Sequence, residues 1–426
     1  MNLSVRLKAL SFFAVLLGGT ALVSCSEDVQ TPCLVTSTCP QDQPPLQDVT
    51  LDAITYDTSI AGYPETGFEP TLFLAHAGDT LDARIITRFD TLPTHYTGAG
   101  QDSVITRVDS AWLQAIRRVG DSTTKLVVDA ATIEAFDVTA AGDDTTATAL
   151  SAQFIPANKI GSLALAAGDN PDTIKILVDT AHVRAKIQDS THKMRVGIRM
   201  VSAGSAQLRI PSQDLGEGFS LMIRPSRDTS VATVVASPTS DAPAGFTNMQ
   251  AALADFNYVA SARPIPANTL RVGGVAPRRV MFRFNVPARI VDSSAIIRAT
   301  LFLTQRPAAT AQAGDTVHLR AVPVLSSSLV TDPHVILGFA AVATAFQTDS
   351  LPLVPKDSGF RKVDVVRIVR SWRGEDTLKT PRAIALLLDN EAASAPGVDF
   401  FSMEAAAGLR PQLRISFASK PSSGRP

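Results

Sequence analysis

The sequence predicts an all-β protein: two consecutive antiparallel β-sandwich domains of jelly-roll type, following an export signal and a flexible tether. Three observations carry that expectation. Val280, Phe282, Phe284 and Val286 alternate with Met281, Arg283 and Asn285, the period of two that suits a half-buried strand. The chain holds 27 Pro and 25 Gly, is rich in Thr, Val and Ala, and lacks long amphipathic helical repeats. At 426 residues, 45% hydrophobic and 19% charged, it is long and apolar enough for two or three domains with full cores. The expected layout is a signal peptide over 1–24, a flexible tether over 25–48, a degenerate sandwich over 49–225, a linker over 226–254, a sharper sandwich over 255–418, and a disordered tail over 419–426.

At the amino terminus Arg6 and Lys8 precede an apolar stretch, Ala9 to Leu22, too short to span a bilayer comfortably. It reads as a cleaved signal. The stretch ends in Leu22-Val23-Ser24-Cys25, which resembles the lipobox of bacterial lipoproteins. The resemblance implies that Cys25 is acylated and begins the mature chain; each buried methylene would contribute about 0.8 kcal/mol, so two or more chains anchor stably. Ser26 follows where inner-membrane retention prefers Asp, which implies an exported protein anchored in the cell envelope at the outer membrane. The alternative is an ordinary signal peptide with a chance cysteine.

Residues 26–48 are polar and aperiodic with a Pro44-Pro45 pair, as a tether should be. Cys33 and Cys39 lie within it. In an oxidising compartment they are expected to close a small disulfide loop, the alternative being two unpaired thiols. Metal binding is disfavoured because no His adjoins them.

In the first globular region, strands are expected near Leu51, over 71–75 and over 84–89. Ile85, Thr87 and Phe89 repeat the spacing of Val280, Phe282 and Phe284, so the chain carries a degenerate internal repeat. In that register Ala111-Trp112-Leu113 matches Ala299-Thr300-Leu301 and turns Trp112 to the polar side. An outward indole is either a sugar-stacking platform or a side chain covered by its surroundings. Further strands are expected over 125–128, 174–178, 194–200, 207–210 and 220–223, divided by turns such as Ala141-Gly142-Asp143-Asp144. That acidic pair reads as a solvated turn, because the spaced carboxylates of a calcium loop are missing.

The second region opens with the 280–286 run, which Pro287 ends, and continues with Ile297, Ala299, Leu301 and Leu303 alternating against Arg298 and Thr300. The order Leu270-x-Val272-Gly273, Arg279 to Phe284, Pro287, Ile290 and Ala299-x-Leu301-x-Leu303 resembles the opening half of the DNRLRE domain, related to carbohydrate-binding module family 96. Val363 to Trp372 is similar to that family's short helix ending in Trp. Ile384 to Leu388 is similar to its penultimate long strand, and Phe401-Ser402-x-Glu404 with Arg410-Pro411-x-Leu413 to its final hairpin. The likeness covers about 255–417, and 54–224 more weakly, where Ser212-x-Asp214 stands for Ser402-x-Glu404. Asp364 is expected to cap the short helix, with Val365, Val369 and Trp372 packed on the sheet. Arg283 and Glu404 either pair across the domain or stay solvated. Val317, Leu319 and Ala321 alternate with His318 and Arg320, which face either an acidic glycan or solvent.

A formal charge of −1 gives no pull on nucleic acid. No nucleophile elbow, zinc-binding helix, phosphate loop or CxxC pair appears, and the six His are scattered singly, so no catalytic residue, metal or cofactor is expected. The expected role is a non-catalytic, lipid-anchored envelope module for binding or adhesion, with polysaccharide as the partner the resemblance implies and Trp112, His318 and Arg320 as ligand contacts. The sequence names no protein partner. A structural part of an envelope assembly, joined through strand edges, is the alternative. A polysaccharide lyase or hydrolase is disfavoured by the scarcity of Tyr, four in all.

Overall fold

The computed structural model describes residues 45–63, 66–98, 100–116, 129–169, 171–228, 230–241, 253–262, 264–308, 316–326, 329–340, 347–373, 382–389, 391 and 396–419. The signal peptide, Cys25, Cys33, Cys39, the 125–128 strand and the chain beyond Ser419 lie outside the described residues. Strands β1 (Leu46–Leu51) and β2 (Ile54–Ala61) come first. A second group is β3 (Thr71–Ala77), β4 (Leu81–Phe89), the hairpin β5 (His95–Gly98) and β6 (Gln101–Val104), β7 (Ser110–Ile116), β8 (Ala131–Asp137), β9 (Lys159–Leu165), β10 (Thr173–Leu177), β11 (Met194–Ser202), β12 (Ser205–Pro211), β13 (Ser220–Arg224), β14 (Val234–Ala236) and β15 (Asp255–Ala262). The third group is β16 (Thr269–Gly273), β17 (Arg278–Phe284), β18 (Ser294–Arg306), β19 (Val317–Pro323), β20 (Leu351–Leu353), β21 (Gly359–Asp364), β22 (Ala383–Leu388), β23 (Gly397–Phe401) and β24 (Gln412–Ser419).

These strands form an all-β protein with two antiparallel sandwiches of jelly-roll-like build. In the first, the sheet β12-β3-β4-β11-β8-β9, with β15 on β4, faces the sheet β10-β7-β13-β14. Leu74, Ile85, Phe89, Leu113, Ile198 and Leu221 fill the space between them. In the second, β1-β24-β18-β23-β16, with β21 on β18, faces β2-β17-β22-β19-β20 around Val280, Phe282, Leu301, Trp372, Leu386 and Leu413. Every second side chain of a strand points inward, so facing layers bury the alternating residues picked out above.

The internal repeat is visible in the registers. β11 sets Ile198 opposite Ile85 and Val196 opposite Thr87, while β22 sets Leu386 opposite Val280 and Ile384 opposite Phe282. The carbonyls of the matched residues Ala111 and Ala299 accept equivalent bonds, from the amides of Val178 at 3.1 Å and Val365 at 2.9 Å.

The expected domain boundaries cut across this architecture. β1 pairs with the last strand, β24, and β2 with β17, so residues 46–61 complete the second sandwich and not the first. Reciprocally, β14 pairs with β13 and β15 with β4, so the expected linker and the start of the expected second domain complete the first sandwich. Thr239 is bonded through its backbone to Arg88 and Asp90, which clamps this segment down. The segment leading into each repeat thus docks on the sandwich of the other. Alternation specifies that such a strand is half-buried but not which of two equivalent sheets it joins, because the pairing is made by backbone groups.

Other details differ from the reading of the sequence. β17 is buried on both faces: Met281 faces a small outer core of Tyr63, Val322, Ile336 and Leu337, contributed partly by the helix Pro333–Gly338. In β18 the register shifts between Ile296 and Arg298, so Ile296 points inward and Ile297 is exposed. β23 and β24 do not form a final hairpin; both lie beside β18. The helix Val366–Ser371 is as expected, with the Val366 amide donating to Asp364 Oδ1 at 2.9 Å. Trp372, 1% exposed, packs 5.3 Å from the Phe284 ring.

Candidate functional site

The exchanged strands bring acids to equivalent places in the two sandwiches. On β2, Asp57 lies opposite Phe282, and on β15, Asp255 lies opposite Thr87, the matched residue of the repeat. Each accepts a backbone bond from the middle residue of a Ser-x-acid triplet. Met403, between Ser402 and Glu404, donates to Asp57 Oδ2 at 2.8 Å, and Gln213, between Ser212 and Asp214, donates to Asp255 at 2.9 and 3.1 Å. The triplets are held alike, since the Ser402 amide donates to the Asn268 carbonyl and the Ser212 amide to the Pro70 carbonyl.

The surroundings differ. In the second sandwich the triplet borders an open polar groove of about 380 Å³, to which Asp57, Thr58, Asn268, Thr269, Ser402 and Glu404 contribute. Ser402 donates its hydroxyl to Glu404. Burial pushes the Asp57 carboxyl above its usual range, the charge of Glu404 adds to the shift, and the Met403 amide opposes it. In the first sandwich, counting back from Pro70 and Asn268, Glu69 stands where the second has Ala267, and its carboxylate adds a third acid. Glu69 is buried, accepts a bond from the Gly67 amide at 2.6 Å, and is pushed up to about 7 by burial, with the charges of Asp255 and Asp214 adding to it. Asp255 is likewise pushed up to about 7, first by burial.

The residues singled out from the sequence are not brought together. Trp112 points away from the first core, as its register predicts, yet it is only 8% exposed. Its indole donates to Gln114 Oε1 at 3.0 Å, and Lys175 Nζ sits 4.2 Å from its ring centre, so a sugar ring could stack there only by displacing Lys175. His318 and Arg320 lie on β19 of the second sandwich. Arg320 Nε is 2.7 Å from Asp389 Oδ1, and its Nη1 donates to Gln347 at 2.6 Å. His318 Nδ1 is 3.2 Å from the Ser350 hydroxyl, which donates to Asp389. The Arg320 charge is therefore already matched by Asp389, which disfavours an acidic glycan on that face.

Arg283 and Glu404 do not pair with each other. The Arg283 guanidinium lies 5.8 Å from the Tyr56 ring centre, while Glu404 receives Ser402. The Asp143-Asp144 turn is exposed to solvent, as expected; Asp143 also pairs with the buried Arg195 at 3.0 Å, and Asp144 accepts from the Thr146 amide at 2.7 Å. Sequence reading missed Asp57 as a partner of the Ser402 triplet, because 346 positions separate Asp57 from Met403. The one available signal was the doubled Ser-x-acid triplet itself.

Among the described residues, no group of three or more His, Cys, Asp or Glu is placed to hold a metal ion, and no helix is long and apolar enough to cross a membrane. No protein-family model matches the chain, and no curated protein matches it. Among solved structures, the Macrobrachium rosenbergii nodavirus structure matches at 9% identity with a TM-score of 0.17, covering 91% of this chain and 94% of that one. The infectious bursal disease virus Gx strain structure matches at 11% identity with a TM-score of 0.14, covering 90% and 80%. At these scores neither likeness bears on fold or function.

Proposed function

We propose that the protein is a non-catalytic, lipid-anchored envelope module, attached through Cys25, that binds polysaccharide in the groove beside the Ser402-x-Glu404 triplet. The observation that carries this reading is the groove's lining: carboxylates, hydroxyls and the Asn268 amide converge on about 380 Å³ of open space, the donor and acceptor mix that sugar hydroxyls require. Paired carboxylates also serve glycoside hydrolysis. Here Asp57 holds the Met403 amide and Glu404 holds the Ser402 hydroxyl, which favours binding over turnover. The test is a glycan array probed with the chain from Pro45 onward, followed by titration of any polymer retained. One polymer class should stand out, and Glu404→Gln should weaken its binding at least about tenfold, as loss of a charged acceptor does. A blank array, or binding indifferent to Glu404→Gln and Asp57→Asn together, refutes the reading.

A second reading, a structural part of an envelope assembly, is favoured by the exchanged strands. A neighbour's residues 46–61 carry the same pairing groups as the chain's own and would fit the edges of β24 and β17. Asp48→Cys with Ser416→Cys places thiols on directly opposed residues. Disulfide-linked oligomers on a non-reducing gel support assembly, and linkage within single chains only refutes it.

A further inference from the structure

A second cavity, of about 180 Å³, lies where the end of β2, the run into β3, β15 and the 275–277 turn meet. Its walls are largely apolar, formed by Phe73, the Tyr258 ring, Val259, Val275 and Pro277, with Thr66 and Thr145 also contributing. Glu69 is the one carboxylate among its lining residues, and it is only 7% exposed. The other polar lining side chains on β3 and β15 are already engaged. Asn257 accepts from the Phe73 amide at 3.0 Å and donates to the Phe73 carbonyl at 2.8 Å, and the Tyr258 hydroxyl accepts from Arg84 at 3.2 Å. Burial first, and then the charges of two further acids, Asp255 and Asp214, push the Glu69 carboxyl up to about 7.

We infer that this cavity binds a small organic ammonium, its apolar body among Phe73, Tyr258 and Val259 and its charged nitrogen on the Glu69 carboxylate. Size and charge both point to that class. A cavity of about 150 Å³ is enough to enclose benzene in a protein interior, so a ring of six carbons with one short arm is about the upper limit here. A buried carboxylate flanked by like charges gains most from a cation that enters without its water, and an ammonium donates hydrogen bonds to it directly. A neutral guest of the same shape would gain the apolar contact alone. The site is separate from the groove beside Glu404 and does not rest on the polysaccharide reading.

The test is a calorimetric titration of the full chain with cyclohexylmethylammonium and with its neutral analogue cyclohexylmethanol. The ammonium should bind at least about tenfold more tightly than the alcohol, as a charge-assisted contact to a buried acid requires. Glu69→Gln, checked for folding by circular dichroism, should erase that preference and leave the weak binding of the alcohol unchanged. Nuclear Overhauser contacts from the bound ligand should reach the rings of Phe73 and Tyr258, a readout that needs no variant. Equal affinity for the two probes, no binding of either, or a preference that survives Glu69→Gln overturns the assignment.

Discussion

Replacing Asp255 with Asn should stabilise the protein above neutral pH and leave it unchanged in acid. Asp255 is 2% exposed, and burial pushes its carboxyl up to about 7 from the ordinary 3.8. At about 1.4 kcal/mol per factor of ten, that difference corresponds to roughly 4 kcal/mol of preference for the neutral form. Below about pH 4 the group is protonated folded and unfolded, and it imposes no penalty. As pH climbs from about 4 to about 7, the unfolded chain ionises while the folded one keeps its proton, so stability falls until the loss is complete above about 7. Asn retains an acceptor for the Gln213 amide, and the stronger bond that the carboxylate makes there is already contained in the net shift. The net gain is then roughly 4 kcal/mol at pH 8 and near zero at pH 4. Urea unfolding of both proteins at the two pH values measures it. A variant less stable than the parent at pH 8, or an equal difference at both pH values, refutes the argument.

Trp372→Ala empties a site that is 1% exposed against Phe284 and should cost about 3 to 5 kcal/mol, read as a lowered urea midpoint. Gly197→Ala should cost about 1 to 3 kcal/mol, because the added carbon would lie 2.5 Å from the Phe154 ring and 2.8 Å from Val138 Cγ1; unchanged thermal stability would contradict that packing. Asp90→Ala removes the buried carboxylate that holds Arg195 at 2.7 Å and leaves the guanidinium only the exposed Asp143 and Asp241 at 3.0 and 3.3 Å, so a loss of about 2 to 3 kcal/mol is expected in thermal melts. Asp364→Ala removes the carboxylate that accepts from the first amide of the Val366–Ser371 helix and should cost about 1 kcal/mol by the same measurement.

Much of the fold is legible in the sequence because alternation is a local signal. Phe282 and Leu301 were readable as inward residues from their neighbours alone, and both are fully buried. The degenerate repeat was readable from three spaced residues, and the registers of β4 and β17 agree with it. Ile297 misled because a single bulge reverses every later side chain, and nothing in the composition of 294–298 marks one. Met281 misled because an outer face reads as polar only when nothing covers it, and the covering helix begins 52 positions later, at Pro333. The candidate groove was half legible: Ser402 and Glu404 stood out as a motif, whereas Asp57 did not.

The sequence by itself determined the strands, their inward faces, the Trp-ended helix and the doubled Ser-x-acid triplet, since each depends on side-chain order within a few residues. Only the tertiary structure decided which sandwich each leading strand completes, and therefore which acids meet. Strand pairing is made by backbone groups that every residue shares, so two repeats with equivalent edges leave the partner open until the whole chain is packed. Asp57 and Asp255 consequently reach triplets far from their own in sequence, and the groove beside one and the cavity near the other exist only in the assembled fold.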